Sequence, residues 1–503
     1  MSNRVLLALA LAVPLFFHPS APALALTNAE LIAIIEKQTQ QIEDLNRRLS
    51  ALERSSQATM QRSEDNERRA IAAERKAAIA QEEARAAERK AAAAVETSER
   101  AQVEVSNVEL ADPDLTFKFG PAPTLKGSDS QGRPWEFKVR GRLLVDGGAL
   151  GDSDSFYTGD NATEVRSARL GVESKFFDGF TLKFETDFAG NNVDIKDGFL
   201  EYDGPFIDPL YIRAGQYKTP NSLEEQTSGR FTTFMERAAI TDAFSLDRRI
   251  GLGVGATGEN YGVDFGLFGQ NVNVTAPSEG LAVASRGWYH DSFGGDEGAS
   301  NLIHLGGSVR YRGFSNDANN NEVRYRQRPF FHFTDERSVN TGFIDNARSD
   351  VFLGGEVAWV NGPWSFQGEV ANTFLQTTEG ENANGLWGGY GSLSYFVTED
   401  DSRRYQPTAG TFGRVKVNNP VQDGGWGAWE VAGRFDYLDL NSGVAQGGQQ
   451  YSAIAGLNWY VNDYTRIMLN GAVTQVFNAE GDAAATGSTN TIYGVGARVQ
   501  VDW

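Results

Sequence analysis

The chain has 503 residues with 46 Lys+Arg against 66 Asp+Glu, a formal charge of −20, 55 glycines, 11% aromatics and no cysteine. Absent cysteine excludes disulfides and thiolate metal sites, the acidic balance argues against a nucleic-acid partner, and no P-loop or other cofactor motif is present. No window of about 18 apolar residues follows the N-terminus, which excludes a helical membrane protein.

The N-terminus reads MSNRVLLALALAVPLFFHPSAPALAL. Arg4, an apolar run from Val5 to Phe17 and the small-residue site Ala23-Leu24-Ala25 predict a secretory signal peptide over residues 1–25 and an exported protein. Residues 28–110 are rich in Ala, Glu, Arg and Gln. Leu31, Ile35, Gln38, Ile42, Leu45, Leu49 and Leu52 keep a 4-3 spacing, and the same register later selects Ala70, Ala73, Ala77, Ala80, Ala84, Ala87, Ala91 and Ala94. One seam held this long predicts an α-helical coiled coil, a stalk about 110 Å long at the rise of an α-helix. Asp112-Pro113-Asp114 ends it, and residues 111–134 read as linker.

From 135 to 503 the period changes to two. In FKVRGRLLV, Phe137, Val139, Gly141, Leu143 and Val145 share one face, and Lys138, Arg140 and Arg142 the other. About sixteen such segments follow one another, among them 163–175, 180–190, 208–217, 301–313, 322–333 and 349–361. Connections alternate between short and long, although 400–423 is long where a short turn is expected. The last segment places Tyr493, Val495, Ala497, Val499, Val501 and Trp503 on one face. The expected fold is all-β, a 16-stranded antiparallel transmembrane barrel with its apolar face to lipid and its polar face to a lumen. An even strand count puts both barrel ends, and with them the stalk, on the periplasmic side.

The stretches EVRSARLGVESKFFDGFTLKFETDF (164–188), IRAGQYKTPNSLEEQTSGRFTTFMERAAITDAF (212–244), RRIGLGV (248–254), RYRQRPFFHF (324–333) and VNGPWSFQGEV (360–370) resemble the phosphate-selective porin O and P family over residues 135–503. The resemblance implies a trimeric outer-membrane channel whose third long loop, here about 218–248, folds into the pore, with arginines climbing the lumen to a central anion site. Carried over residue by residue, it implies anion contacts from Arg166, Ser228 and Arg230. Ser167 stands where a second strand arginine is found in the family, Glu225 where a loop lysine is, Lys196 where an aspartate is, and Arg169 where a tyrosine is. By strand parity Arg169, with Ser167 and Glu173, faces the lumen instead of Arg166, unless a bulge intervenes.

The same parity adds Arg213, Arg310, Arg312, Arg324, Arg326 and Arg328 to the expected pore-lining cations, since a guanidinium facing lipid costs a few kcal/mol at the midplane. Glu185, Asp187, Glu201 and Glu369 also point inward, so the lumen is mixed. The function expected is passive passage of small anions such as phosphate, with a general diffusion porin as the alternative. Expected partners are two further copies of the chain in a homotrimer, outer-membrane lipids and lipopolysaccharide, and peptidoglycan reached by the stalk. An enzyme is not expected: Gly151-Asp152-Ser153 resembles a hydrolase signature, but His290, His304 and His332 have no spacing that assembles a triad.

Overall fold

The computed structural model describes residues 115–153, 160–274, 279–293, 301–314, 321–478 and 489–503. The chain divides into two compact units, Met1–Ala111 and Asp112–Trp503, and every described residue belongs to the second. The expected signal peptide and coiled coil lie outside the described residues.

Sixteen long strands form one sheet: β1 (Pro134–Asp152), β2 (Asp160–Phe176), β3 (Phe180–Asp187), β4 (Asp194–Tyr202), β5 (Leu210–Lys218), β6 (Arg248–Thr257), β7 (Tyr261–Phe268), β8 (Glu279–Ser292), β9 (Asn301–Phe314), β10 (Ala347–Asn361), β11 (Trp364–Thr377), β12 (Ala383–Phe396), β13 (Ala428–Ser442), β14 (Ala445–Asn462), β15 (Thr465–Phe477) and β16 (Asn490–Asp502). Each pairs antiparallel with the next, and β16 closes on β1 through a register running from Ile492 opposite Asp152 to Asp502 opposite Arg142. Closure removes sheet edges, the condition for strands in hydrocarbon, where a free N–H or C=O finds no partner. Alternation then sorts the side chains. Leu143, Leu252, Leu305 and Val473 stay 43–56% exposed on the outside, while charged groups turn inward.

The strand count agrees with the sequence expectation, but the membership differs by one exchange. Residues 322–333 form no barrel strand. Within them the extended pairing is short, Arg326–Gln327 with Val339–Asn340 and a single bridge from Val323 to Ile344, inside the loop joining β9 to β10. Period-two patterning reports extended backbone, not its length. Here Pro329 and a left-handed Phe330 (φ 61°) end the run early. The strand missed by pattern is β8, whose inward positions Ala282, Ala284, Arg286, Trp288 and His290 mix small, charged and aromatic residues, so no polar–apolar alternation shows. The expected linker is also partly ordered: Thr116–Lys118 and Thr124–Ser128 pair as a hairpin, and the latter continues onto the first residues of β1.

One barrel end carries tight connections such as the β2–β3 turn, where Phe177 and Asp178 take φ of 51° and 52°, matching a primed turn that suits strand twist. Three long segments fold into the interior instead of outward. Loop 219–247 carries α1 (Leu223–Gln226) and α2 (Ala239–Phe244). Loop 321–346 meets it there, so that Ile240, Phe244, Tyr325, Phe330 and Phe331 pack with Phe352, Leu386, Leu438 and Ile454 of the barrel wall. From the tight-turn end, residues 397–427 bring Tyr405 and Phe412 against Leu223, Leu302 and Val360. Burying these apolar groups fills the half of the barrel around β9–β15 and leaves an open path against β1–β7.

Candidate functional site: a cation-rich lumen

The open path is a cavity of about 850 Å³, bordered by β1–β7, loop 219–247, the 397–427 segment and Arg498 of β16. Thirteen lysines and arginines border it against six aspartates and glutamates, in a chain whose overall charge is −20. The sign of the lumen is therefore opposite to that of the protein. Only fixed charges near the path matter to a passing ion, because salt screens the rest beyond about 10 Å at 0.1 M.

The β1–β2 pairing contains the bulge that parity alone leaves open. Leu144 faces Ser167 and Val145 faces Val165, so Arg166 is the extra residue. Both Arg166 and Arg169 consequently border the cavity. Neither guanidinium is free of fixed anions. Arg166 makes two hydrogen bonds to Glu236 (3.1 and 3.2 Å), a carboxylate shared with Arg498 (2.9 Å). Arg169 donates to Asp187 (2.8 Å) and Glu185 (2.9 Å).

A less compensated set lies beside them. Arg142 comes no closer than 3.9 Å to a carboxylate, that of Glu185, and its buried Nε has no hydrogen-bond partner. A side-chain carbon built on Gly229 would sit 3.5 Å from Arg142 Nη1, so the loop backbone passes directly over this guanidinium. On either side of Gly229, Ser228 Oγ accepts from Arg230 Nε (3.3 Å), and Arg230 is 3.7 Å from Asp502. Arg142, Ser228 and Arg230 thus offer guanidinium and hydroxyl donors whose charge is only partly answered, the arrangement that charge-assisted hydrogen bonds to an oxyanion require.

Local sequence explains why the loop holds this shape. Ser222 caps α1 by accepting from Glu225 N (3.1 Å). Carbonyls at its far end take donors from Lys218 (Thr227 O, 3.2 Å) and Arg237 (Thr227 O, 3.0 Å), which satisfies acceptors a short helix leaves open. Glu224 staples the loop across itself, accepting from Ala238 N (2.7 Å) and Thr241 Oγ1 (3.0 Å). Glu225, at the family's lysine position, lies 3.5 Å from Arg237, and Lys196 pairs with Asp194 (3.1 Å).

The remaining expected residues divide. Arg140 borders the cavity and pairs with Glu173. Arg213 borders it too, hydrogen-bonded to Glu201 (2.6 Å) and lying over the rings of Phe199, Tyr211 and Tyr217. Arg310 and Arg312 are on a barrel strand and point inward, but they are buried behind the loops. Arg310 donates to Phe244 O (2.6 Å), and both engage Asp350, which also accepts from Tyr325 (2.8 Å). They anchor loops and do not line the cavity. Arg324, Arg326 and Arg328 do not line it either, because their segment is loop: Val323, Tyr325 and Gln327 turn into packed surroundings and the arginines to the opposite side, where Arg324 bonds Asn340 (2.9 Å).

Sequence reasoning missed Lys183, Lys218, Arg237, Arg248, Arg414 and Arg498 as cavity residues. Arg498 was legible, since it opposes the Tyr493–Trp503 face. Arg414 was not, because nothing in a long turn announces that it folds inward. Among the histidines, His304 contacts Glu356 (3.0 Å) and Tyr405 (2.6 Å), and His332 contacts Glu164 (2.9 Å). Ser153 donates to Asn490 (3.0 Å), so these side chains are built into the wall and its loops.

An uncharacterized protein of Caulobacter vibrioides is 32% identical over 376 residues, covering 72% of this chain and 71% of the relative. An anion-selective porin from Comamonas acidovorans is similar in structure at 12% identity and a TM-score of 0.46, over 73% of this chain and all of the other. The outer membrane channel DcaP of Acinetobacter baumannii matches at 9% identity and a TM-score of 0.43, over 75% of this chain and 99% of that one. The family described as phosphate-selective porin O and P matches residues 137–503, and the chain belongs to that family of outer-membrane porins.

Proposed function

We propose that the channel passes small anions, phosphate among them, passively down their gradient. The observation that carries this reading is the inverted charge of the lumen, thirteen basic groups against six acidic ones in an acidic chain. An anion moving along β1–β3 meets Lys138, Arg140 and then Arg142 with Ser228 and Arg230. Each offers donors in place of lost hydration, and none holds the ion so completely that it cannot leave.

A general diffusion porin with weak preference is the second reading, and a specific observation favours it: Arg166, which the family resemblance brings to the site, and Arg169, which strand parity brings there, are answered by Glu236, Asp187 and Glu185. Planar-bilayer recording in KCl with graded phosphate separates the two. Block of chloride current that rises with phosphate supports the anion site, and cation preference without phosphate block overturns it.

The family's assembly supports a homotrimer embedded in outer-membrane lipid and lipopolysaccharide, with residues 28–110 reaching through the periplasm towards peptidoglycan. Deleting residues 28–110 and sizing the detergent-solubilised protein tests whether that segment also serves assembly. A loss of trimers assigns it that role, and unchanged trimers leave tethering alone.

A further inference from the structure

Off the main cavity, between β5, β6 and β7, opens a recess of about 20 Å³ bordered by Tyr211, Arg213, Tyr217, Gly253 and Asp264. That volume holds one or two water-sized groups. Tyr211, Arg213, Tyr217 and Asp264 border the main cavity as well, so the recess and the pore share these four side chains. Its back wall is bare backbone of β6. A carbon added at Gly253 would strike the Tyr217 hydroxyl, and one added at Gly255 would come within 2.5 Å of Asp264 Oδ1. The two polar groups therefore lie over successive inward positions of one strand, positions that are themselves roughly 7 Å apart.

Both are unspent. Tyr217 is 5% exposed and its hydroxyl has no hydrogen-bond partner, a condition that in a native protein calls for a ligand, a water or a cost. Asp264 accepts one bond, from the Tyr211 hydroxyl. The two cations that border the recess are committed elsewhere, Arg213 to Glu201 and Lys218 to the carbonyls of Glu225 and Thr227. Their charge disfavours an ammonium in the recess. A donor without acceptor beside an acceptor with spare capacity matches a hydroxyl, which is both, and two adjacent hydroxyls span the interval between them.

We propose that this recess is a hydroxyl-reading subsite of the anion path, and that the pore favours small anions carrying a vicinal diol, such as polyol phosphates, over alkyl phosphates of equal size. The proposal rests on the anion reading above. Its test is the concentration at which glycerol 3-phosphate, propyl phosphate and inorganic phosphate each half-block chloride current through the purified channel in a planar bilayer.

Glycerol phosphate is expected to block at about threefold to tenfold lower concentration than propyl phosphate, the effect of one or two net hydrogen bonds. Tyr217→Phe is expected to bring the two organic phosphates together while leaving inorganic phosphate unchanged, and Asp264→Asn to bring them together while strengthening block by all three ions, because it also removes one of the six acidic groups beside the path. Tyr217→Phe removes a group without partners and so decides the matter where Asp264→Asn fails to fold. Superposed curves in the unmodified protein, the behaviour of a recess that holds only water, overturn the proposal, as does a preference that survives both substitutions. Failure of the anion reading is separately visible as absence of block by inorganic phosphate.

Discussion

A guanidinium in an aqueous pore acts on a passing ion only as far as no fixed carboxylate cancels it, and that criterion ranks the lumen arginines. Arg142, 3.9 Å from its nearest carboxylate, outranks Arg166, which is doubly bonded to Glu236. A unit charge about 6 Å from an ion in water contributes about 0.7 kcal/mol. That charge favours the anion and disfavours the cation equally, so Arg142→Gln should lower the anion-to-cation permeability ratio by up to about tenfold, read as a zero-current potential across a KCl gradient. Glu236→Gln should shift the same potential the other way by a similar amount, because it releases Arg166 while Arg498 keeps Asp146 (2.6 Å). In loop 321–346, burial together with Arg328 and Arg326 pushes the Arg337 guanidinium down to about 10. Between that value and the ordinary arginine range the unfolded chain binds more protons, so stability rises with pH there, whereas below pH 10 the crowding penalty is present in full. Arg337→Gln should accordingly raise the melting temperature at pH 7, and lose that advantage as pH rises above 10.

Elements were legible in proportion to how simply their environment alternates. Strands with lipid on one side and water on the other, such as β1 and β3, announce themselves by parity. By contrast, β8 was hidden because loops packed inside the barrel give its inner face Ala282, Ala284 and Trp288 where water would have selected polar residues. The opposite error at 322–333 has the same origin, since Tyr325 lies against Phe244 inside the barrel, an environment as two-sided as a bilayer wall. For the site, residue types on β1, β2 and loop 219–247 were readable. Which cations keep their charge was not, because pairing depends on contacts between strands and loops distant in sequence. Loop 219–247 holds its shape through Glu224, whose loss strands two buried donors, Ala238 N and Thr241 Oγ1. Leaving such groups unpaired costs about 1–3 kcal/mol. Glu224→Ala should therefore lower the heat-modification midpoint on gels and add open-channel current noise while sparing the barrel itself.

At the scale of the molecule, barrel and filling carry separate duties: the wall meets lipid, and three inward segments decide how much of the interior remains water. The path runs along β1–β7, so selectivity resides on the side where wall residues still meet solvent, and substitutions on the filled side act through packing. One small irregularity of that wall has a further consequence for tolerance to changes in length. Losing a residue from a strand ordinarily turns every side chain beyond it to the wrong face. At the bulge the ladder is already one residue too long, so excising Arg166 makes Val165 and Ser167 neighbours, with Val145 and Leu144 still opposite them. A chain lacking Arg166 should assemble as a heat-modifiable barrel in normal yield, whereas one lacking Ala168 should not. Strand β2 thus contains a position where evolution can add or delete a lumen cation without re-registering the wall.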